Sequence, residues 1–557
     1  MCLLAIVKTF TKFEQLARIG RVAALGFMLL APGWVAAQTA TANWQWANRA
    51  TSTSAADDYS DGSLIKVDGA GNVFNAGSFH GTVTLGGTSL ASPGDYDSFV
   101  AKYTPTGTVA WVRHLNGSSL ETVVYTLEVD ASGNSYVGGY YYDGTLVIGT
   151  TTLTGGGGFL VKYDPQGNVL WVRETGDICS GVASSSAGEL VAFGHFEGTA
   201  VFGGTTLTSG PTGSSFLVKY DAQGTALWAR QIEGSSNDEG HVDLDAAGNA
   251  YIAADFEGTA TFGPIILPGN PSDEDAFVAK YDAAGIPQWA LRQPIAGSPG
   301  REHAWALSTD AAGNTYLVGS TEPATGSDVY WFVTKYMPQG SVSWNYVSGA
   351  ASESGLLGVT TDAAGNVYVS GGVTGSLSIG GLSVASSGSA NTDLALLSFT
   401  AQGAPRWAIA TGSATGVEAA LGLAVDRTDN VYVTGIVQGD AALGPLALPQ
   451  NSTSEEQFVA KASISAITAA KSLRATEPLQ LYPNPARGTN VQLRWSGLAD
   501  ASAELQVHDA LGRQVLTLPM PAGRTEAVLP TNSLKRGVYT LRLQTTKSVA
   551  TGRLVIE

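Results

Sequence analysis

Seven carboxylates recur along the chain, one in each of seven similar segments, and each stands just before a predicted strand. If the segments form a ring, these carboxylates meet at one end of its central channel. Clustered carboxylate oxygens suit Ca²⁺ or a cationic ligand. Alternatively, each carboxylate accepts hydrogen bonds from nearby backbone N–H groups, and because every segment repeats the feature we favour this structural interpretation. The seven residues are Asp58, Glu121, Asp177, Asp238, Glu302, Glu353 and Glu418.

A second candidate site comes from a difference between the segments. In the fifth segment Phe332 follows Asn314 by 18 positions, whereas the corresponding interval elsewhere is 25 to 29 positions. The missing stretch predicts a notch that could admit a ligand, although ordinary loop deletion explains the same length. The residues beside the notch are Glu322, Asp328, Tyr330 and Trp331.

Catalytic and metal motifs give no further candidates. His195, His241 and His303 lie in different segments and lack the spacing of metal ligands. Cys179 stands outside any catalytic pattern, and Gly155 to Gly158 lack the residues that complete a phosphate loop. We therefore assign no catalytic residue, and the metal content stays open beyond the Ca²⁺ hypothesis.

Three repeated patterns predict the elements that hold these residues. The first is a turn of the form Asp-x-x-Gly-Asn between two alternating apolar segments, as at Asp68 to Asn72, which is typical of a β-hairpin. The second is a strand such as Phe99-Val-Ala-Lys-Tyr103, followed twelve residues after the Phe by a tryptophan. The third is a Gly-rich stretch between the hairpins. Each segment thus predicts four strands, the content of one propeller blade.

Lysines occupy one position of the third strand in six segments, as Lys102 does in the first. We expect their stems to pack and their heads to pair with acids near the start of that strand, such as Asp97.

The two ends of the repeat region predict how it closes. Phe458-Val-Ala-Lys461 is a seventh third strand without a tryptophan strand after it, and Trp46 is a seventh tryptophan strand without a partner before it. Pairing the two completes one blade and hides two strand edges. The sequence therefore predicts an all-β fold, a seven-bladed β-propeller at residues 38–462 closed by its N- and C-terminal strands. Its first strands should line the central channel.

The Asp-x-x-Gly-Asn-x-Tyr and Phe-Val-x-Lys-Tyr patterns resemble the bacterial seven-bladed propeller repeats known as SBBP repeats. The resemblance covers roughly residues 43–462 and implies a fold, whereas it assigns no activity.

The N-terminus predicts export. Basic residues precede the apolar run from Val22 to Leu30, and Val35-Ala36-Ala37 resembles a cleavage site, so residues 1–37 are expected to be a signal peptide cleaved near Ala37. We expect no transmembrane segment in the mature chain. The formal net charge of −17 is concentrated between two basic ends, which argues against nucleic acid as a partner.

A different composition follows a linker at residues 463–477. Residues 478–557 predict a small Ig-like β-sandwich that resembles the type A C-terminal sorting domain of type IX secretion substrates. The matching motif residues are Tyr482, Pro483, Asn484, Pro485, Gly512, Arg513, Gly537 and Tyr539. The resemblance implies contact with the type IX secretion machinery and passage by way of the periplasm to the outside or the cell surface.

The functional prediction is a secreted or cell-surface propeller that acts as a binding or adhesion scaffold for an unknown glycan or protein. A secreted polysaccharide hydrolase or lyase is one alternative, because two carboxylates could perform that chemistry. A structural surface-layer component is the other. The sequence does not decide whether any catalysis occurs, and we favour a non-enzymatic role.

Overall fold

The computed structural model describes residues 40–52, 59–92, 95–118, 121–234, 240–293, 300–323, 328–351, 354–388, 391–413, 416–449, 455–466, 474–475, 479–487, 490–495, 503–508, 514–520, 525–532, 534–544 and 548–557. The predicted signal peptide lies outside these residues, as do Asp58, Asp238, Glu353, Gly512 and Arg513. All regular elements within the described residues are β-strands, as predicted. The chain divides into two compact units, Met1–Ser465 and Ala466–Glu557.

Within the described residues, the first unit contains seven four-stranded antiparallel arrays, called sheets 1 to 7 here. In sheets 1 to 6 the four strands pair in chain order, which makes each of these sheets a meander. The strands are Tyr59–Val67, Val73–His80, Asp97–Tyr103 and Val109–Gly117 in sheet 1; Glu121–Val129, Ser135–Tyr142, Gly157–Tyr163 and Val169–Glu174 in sheet 2; Ile178–Ser184, Leu190–Phe196, Ser214–Tyr220 and Ala226–Glu233 in sheet 3; Gly240–Leu244, Ala250–Glu257, Glu274–Tyr281 and Pro287–Arg292 in sheet 4; Glu302–Thr309, Thr315–Thr321, Tyr330–Tyr336 and Val342–Val347 in sheet 5; Gly355–Thr361, Val367–Thr374, Thr392–Phe399 and Pro405–Thr411 in sheet 6; and Val417–Val425, Asn430–Gln438, Glu456–Ala466 and Ala40–Arg49 in sheet 7.

Sheet 7 takes its fourth strand from the other end of the unit, because Ala40–Arg49 pairs with Glu456–Ala466. Ala50 N–H donates to Gln457 O, and the guanidinium of Arg49 pairs with the carboxylate of Glu456. An ion pair at the same repeat position joins Asp275 to Arg292 inside sheet 4. The N-terminal strand thus makes the contacts that a continuous fourth strand makes elsewhere.

The Asp-x-x-Gly-Asn turns connect the first and second strands. In the first copy Asp68 Oδ1 accepts from the N–H groups of Ala70 and Asn72, and Asp68 Oδ2 accepts from the Asn72 amide. Asp130 makes the same set of bonds and also accepts from the Tyr136 hydroxyl. The recurring aspartates therefore stabilise turns, which explains why the repeat keeps them.

The tryptophans of the fourth strands join neighbouring sheets. Trp111 Nε1 in sheet 1 donates to Pro165 O, which lies in the turn between the third and fourth strands of sheet 2. Arg113 donates to Gly167 O and Gln166 O of the same turn. Trp46 makes the equivalent bond from the N-terminal strand to Pro105 O in sheet 1. The contact thus repeats across the junction between sheets 7 and 1.

Short hairpins follow the second strand in six sheets. In sheet 5 the described part of residues 322–329 contains no strand, which matches the short fifth segment. The hairpin strands are Thr82–Leu85 with Thr88–Ala91, Thr145–Ile148 with Thr151–Thr154, Thr199–Phe202 with Thr205–Thr208, Thr259–Phe262 with Ile265–Pro268, Ser376–Ile379 with Leu382–Ala385, and Ala441–Leu443 with Leu446–Leu448; Thr51–Ser52 also pairs with the first hairpin.

The second unit contains two sheets that share one apolar core, which includes Trp495, Leu505 and Leu541. Arg474–Ala475, Ser548–Ile556, Gly537–Gln544, Ala503–His508 and Gln514–Met520 form one sheet, and Gln480–Tyr482, Val491–Arg494 and Glu526–Leu529 form the other. The described residues of the chain contain no helix long and apolar enough to cross a bilayer.

Candidate functional site

The first strands of all seven sheets line one cavity of about 340 Å³, called the central cavity here. The prediction that first strands face a shared interior is therefore confirmed for the described residues. The lining stretches are 63–67, 125–127, 180–182, 240–243, 305–308, 357–360 and 421–425.

A β-bulge occurs in the first strand of six sheets, where one extra residue interrupts the pairing with the second strand. In sheet 5, for example, Ala304 pairs with Gly319 and Ala306 with Val318, so Trp305 is the extra residue. Each bulge residue is also the first residue of its strand that lines the cavity. In sheet 1 both Gly62 and Ser63 lie between the paired residues, and Ser63 is the one that lines the cavity. We call these residues the rim ring: Ser63, Tyr125, Ser180, Trp305, Leu357 and Leu421.

Glycine stands beside the bulge on the second strand. A Cβ at Gly371 would lie 1.7 Å from Gly355 O, and one at Gly139 would lie 1.9 Å from Val123 O. Sheet 4 has Ala254 at this position, and its described pairing from Gly240 onward is regular. The glycine is therefore the sequence signal that accompanies the bulge, and our sequence analysis missed it.

Two residues beyond the rim position, every first strand carries an aliphatic side chain that lines the cavity. Burial of these side chains against one another and against neighbouring sheets stabilises the inner wall. The seven residues are Ile65, Leu127, Val182, Val242, Leu307, Val359 and Leu423.

Charged groups lie near the other ends of the first strands. Lys66 Nζ is 2.8 Å from a carboxylate oxygen of Glu128, which also accepts from Ser184 Oγ. Burial opposes the charge of Lys66, but Glu128 and Asp243 outweigh this effect and raise its pKa. Burial raises the pKa of Asp243 to about 6, although Lys66 and the Thr309 N–H favour the ionised form. Ion pairing and hydrogen bonding thus link sheets 1 to 3 through Glu128 and sheets 4 and 5 through Asp243, and our sequence analysis did not identify these contacts.

His241 also lines the cavity. Burial lowers its pKa to about 4, partly offset by a hydrogen bond to the Ala304 backbone. The imidazole is therefore neutral near pH 7.

Four members of the predicted acid ring are described: Glu121, Asp177, Glu302 and Glu418. None of the four belongs to the lining of the central cavity. Asp177 accepts from the Glu197 N–H, and Glu418 Oε1 accepts from the N–H groups of Ser413 and Ala442. The described residues contain no group of three His, Cys, Asp or Glu that could hold a metal ion. Two of these carboxylates therefore make the backbone contacts that the structural interpretation expects.

Glu302 has a more perturbed environment. It is 2% exposed, and burial raises the pKa of its carboxyl group to about 7 despite the nearby Arg292. Arg292 lies closer to Asp275, at 2.6 Å, than to Glu302, at 3.9 Å. On the adjacent residue, His303 Nδ1 lies 2.8 Å from Asp255. The junction between sheets 4 and 5 therefore holds a buried network of ionisable groups.

At the predicted notch, Glu322 and Asp328 are exposed and Tyr330 is half-buried. Trp331 is 4% exposed and packs in an apolar core with Leu356 and Val373, while its Nε1 donates to Ala351 O. The short connection thus brings two exposed acids near a tryptophan whose ring belongs to the interior.

The predicted pairing of the strand lysines was wrong. Lys102 Nζ lies over the Phe74 ring and donates to Pro165 O in the next sheet, whereas Asp97 pairs with His114. The aromatic residue opposite Lys102 supplies a favourable π-face. In sheet 3 the equivalent Lys219 pairs with a carboxylate, that of Glu189 at 2.7 Å, which does not lie near the start of the third strand.

In the second unit, the Tyr482-Pro483-Asn484-Pro485 motif contacts the last strand. The Asn484 amide donates to Arg553 O and accepts from the Val555 N–H, and Arg487 pairs with Glu557. Tyr482 is 78% exposed, and the Tyr539 hydroxyl donates to Lys535 O close to Gly537. The motif residues thus fasten the end of the chain and leave one aromatic ring accessible.

Comparison with known proteins gives distant relatives for the chain. Over 413 residues it is 24% identical to an uncharacterised WD repeat-containing protein of Acanthamoeba polyphaga mimivirus, covering 61% of this chain and 26% of that protein. Over 149 residues it is 32% identical to the regulatory protein FlaEY of Caulobacter vibrioides, covering 24% of this chain and 15% of that protein. The chain thus spans about a quarter or less of these relatives.

Among solved structures, an acylaminoacyl peptidase of Pyrococcus horikoshii aligns with a TM-score of 0.38 and 8% identity, over 78% of this chain and 57% of that chain. This similarity is too low to support any functional comparison.

The second unit has a family match. Residues 480–557 match the family described as the secretion system C-terminal sorting domain. The predicted type IX sorting domain is therefore confirmed, and this domain supports an exported, secreted or cell-surface protein.

Proposed function

We propose that the chain is an exported surface protein in which a closed seven-bladed propeller of SBBP-type repeats binds an extracellular ligand. The sorting domain at residues 480–557 carries the export part of this proposal. In the proposed route, a signal peptide at residues 1–37 directs the chain to the periplasm, and the sorting domain then directs type IX secretion.

Three observations support the propeller. Each of sheets 1 to 6 is a four-stranded meander, the first strands share one cavity, and the N-terminal strand pairs with Glu456–Ala466. This pairing covers one edge of the strand Glu456–Ala466 and supports closure of the ring. The similarity to a WD repeat-containing protein agrees, since WD repeats form propeller blades.

The binding role rests on the central cavity. The cavity is a concave space that both apolar side chains and polar groups line, and concave sites with placed polar groups are the usual form of a ligand site. The carboxylates of the acid ring and the fifth-segment notch remain additional proposed contact sites. Retention of the secreted protein on immobilised surface polysaccharides or matrix proteins tests this role, and retention on none of them would contradict it.

Export can be tested in a bacterium with type IX secretion. A chain that lacks residues 480–557 should remain in the periplasm, whereas the full chain should reach the surface or the medium. Asn484→Ala should reduce export, because it removes the two bonds that Asn484 makes to the last strand. Arg494→Ala is the control, since this side chain is 72% exposed. Fractionation and surface protease digestion measure the outcome, and equal export of the truncated chain would refute the assignment.

A further inference from the structure

The rim ring differs from the rest of the repeat in its variability. The fourth strand keeps a tryptophan in all seven sheets, and the inner wall keeps an aliphatic residue in all seven. By contrast, the rim position holds Ser, Tyr, Ser, Gly, Trp, Leu and Leu in sheets 1 to 7. A fold that tolerates such different residues at one position does not dictate their identity. Bulges often direct side chains towards functional sites.

The rim residues are also distributed unevenly around the cavity. Sheets 1 to 3 contribute the hydroxyl-bearing Ser63, Tyr125 and Ser180, while sheets 5 to 7 contribute apolar side chains. Gly240 in sheet 4 separates the two groups on one side. The rim therefore presents a hydroxyl arc and an apolar arc, and neither arc carries a charge.

Ser180 and Trp305 supply the most specific evidence. Ser180 is 5% exposed, and its Oγ has no hydrogen-bond partner among the described atoms. A buried hydroxyl without a partner is costly unless a ligand or water satisfies it. The Trp305 ring is held by a hydrogen bond from its Nε1 to Ser320 Oγ at 2.8 Å, and it contacts the Trp331 ring. A ring fixed before binding loses little entropy when a ligand stacks on it.

We propose that the rim ring binds a neutral sugar residue of an extracellular glycan. The apolar face of the sugar ring packs on Trp305, and its hydroxyl groups exchange hydrogen bonds with Ser180 and Ser63. The acidic character of the repeat region disfavours an anionic sugar. A wholly apolar ligand would leave the Ser180 hydroxyl unsatisfied. This inference rests on the proposed surface-binding function and specifies its ligand class.

The test uses the secreted full chain on a printed array of neutral and acidic glycans, followed by competition with methyl glycosides of glucose, galactose, mannose and fucose. Binding of neutral glycans should weaken at least tenfold in Trp305→Ala. Trp305→Leu keeps an apolar side chain if the alanine variant fails to fold, and it should weaken binding similarly. Ser180→Ala, which removes one oxygen, should weaken binding about three- to tenfold.

The control is Tyr142→Ala, an exposed aromatic side chain outside the cavity lining, which should bind like the native protein. Neutral-glycan binding that persists unchanged in Trp305→Leu and Ser180→Ala would overturn the inference. Selective binding of acidic glycans, or of none, would overturn it too. The broader proposed function has a separate test. If the secreted protein is still retained on immobilised polysaccharides or matrix proteins, the surface-binding role stands even though the neutral-sugar proposal fails.

Discussion

Equivalent positions in the repeat have unequal chemistry at the scale of single residues. Glu302 and Glu418 both precede a first strand, and in each carboxylate Oε2 has no hydrogen-bond partner among the described atoms. They differ in their other neighbours, since Glu418 Oε1 accepts the N–H groups of Ser413 and Ala442 whereas Glu302 lies 3.9 Å from the guanidinium of Arg292. Burial raises the pKa of both carboxyl groups, to about 7 for Glu302. The repeat pattern predicted a shared role for these acids, whereas their neighbours in space decide what each one does.

The Glu302 carboxyl group should make stability depend on pH. The pKa of this group is about 7 in the folded chain and 4.5 in the unfolded chain, so the folded state binds the proton more tightly. The free energy of unfolding should therefore fall as pH rises from about 4.5 to about 7. Glu302→Gln removes this dependence and should stabilise the protein at pH 8 by up to roughly 3 kcal/mol, from the size of the shift.

Denaturant unfolding of the native chain and the variant at pH 4.5 and pH 8 measures this difference. At pH 4.5 the two should be nearly equal, which serves as the internal control. Equal destabilisation by Glu302→Gln at both pH values would contradict the raised pKa, because it would mean that the carboxylate is ionised even at pH 4.5 and is needed beside Arg292.

At the scale of elements, the bulge of the first strand and the glycine of the second depend on each other. Gly371→Ala places a methyl group against Gly355 O, and overpacking of this kind should cost about 3 kcal/mol. Gly204→Ala is the matched control, because a Cβ there meets nothing within 4 Å. Unfolding midpoints of the two variants measure the difference, and equal midpoints would mean that the first strand simply shifts to make room.

The strands, the turns and the pairing of the end strands were predictable because their signals are local and repeated. Asp68 and Asn72 bond within five residues of each other, and Trp46 and Phe458 are visible as unmatched copies. The rim ring was not predicted, since a one-residue shift in register depends on how two strands meet. Even so, the glycine in six second strands and Ala254 in the fourth were available as a signal.

At the scale of the whole molecule, one buried ion pair joins the two ends of the repeat region. The side chains of Arg49 and Glu456 are 4% and 1% exposed, and Arg49 also donates to Gly439 O and Leu448 O. Arg49→Ala leaves Glu456 buried without its cation, which should lower the free energy of unfolding by roughly 3–5 kcal/mol.

Hydrogen exchange should show the loss of protection first in Glu456–Ala466 and Ala40–Arg49. Arg301→Ala, at an exposed arginine, is the control and should change stability by less than about 0.5 kcal/mol. If both variants unfold alike, the pair contributes little to holding the end strands together.

The ion pair between Arg49 and Glu456 joins residues that are 407 positions apart in the chain. Contacts this distant form late, because most of the intervening polypeptide must be available before they can close. During synthesis and translocation, the strand Ala40–Arg49 is made long before its partner and must wait with its backbone groups unpaired. This interval is when the chain is most prone to aggregation, so chaperones that shield the early N-terminal strand should matter more for this protein than its final stability would indicate.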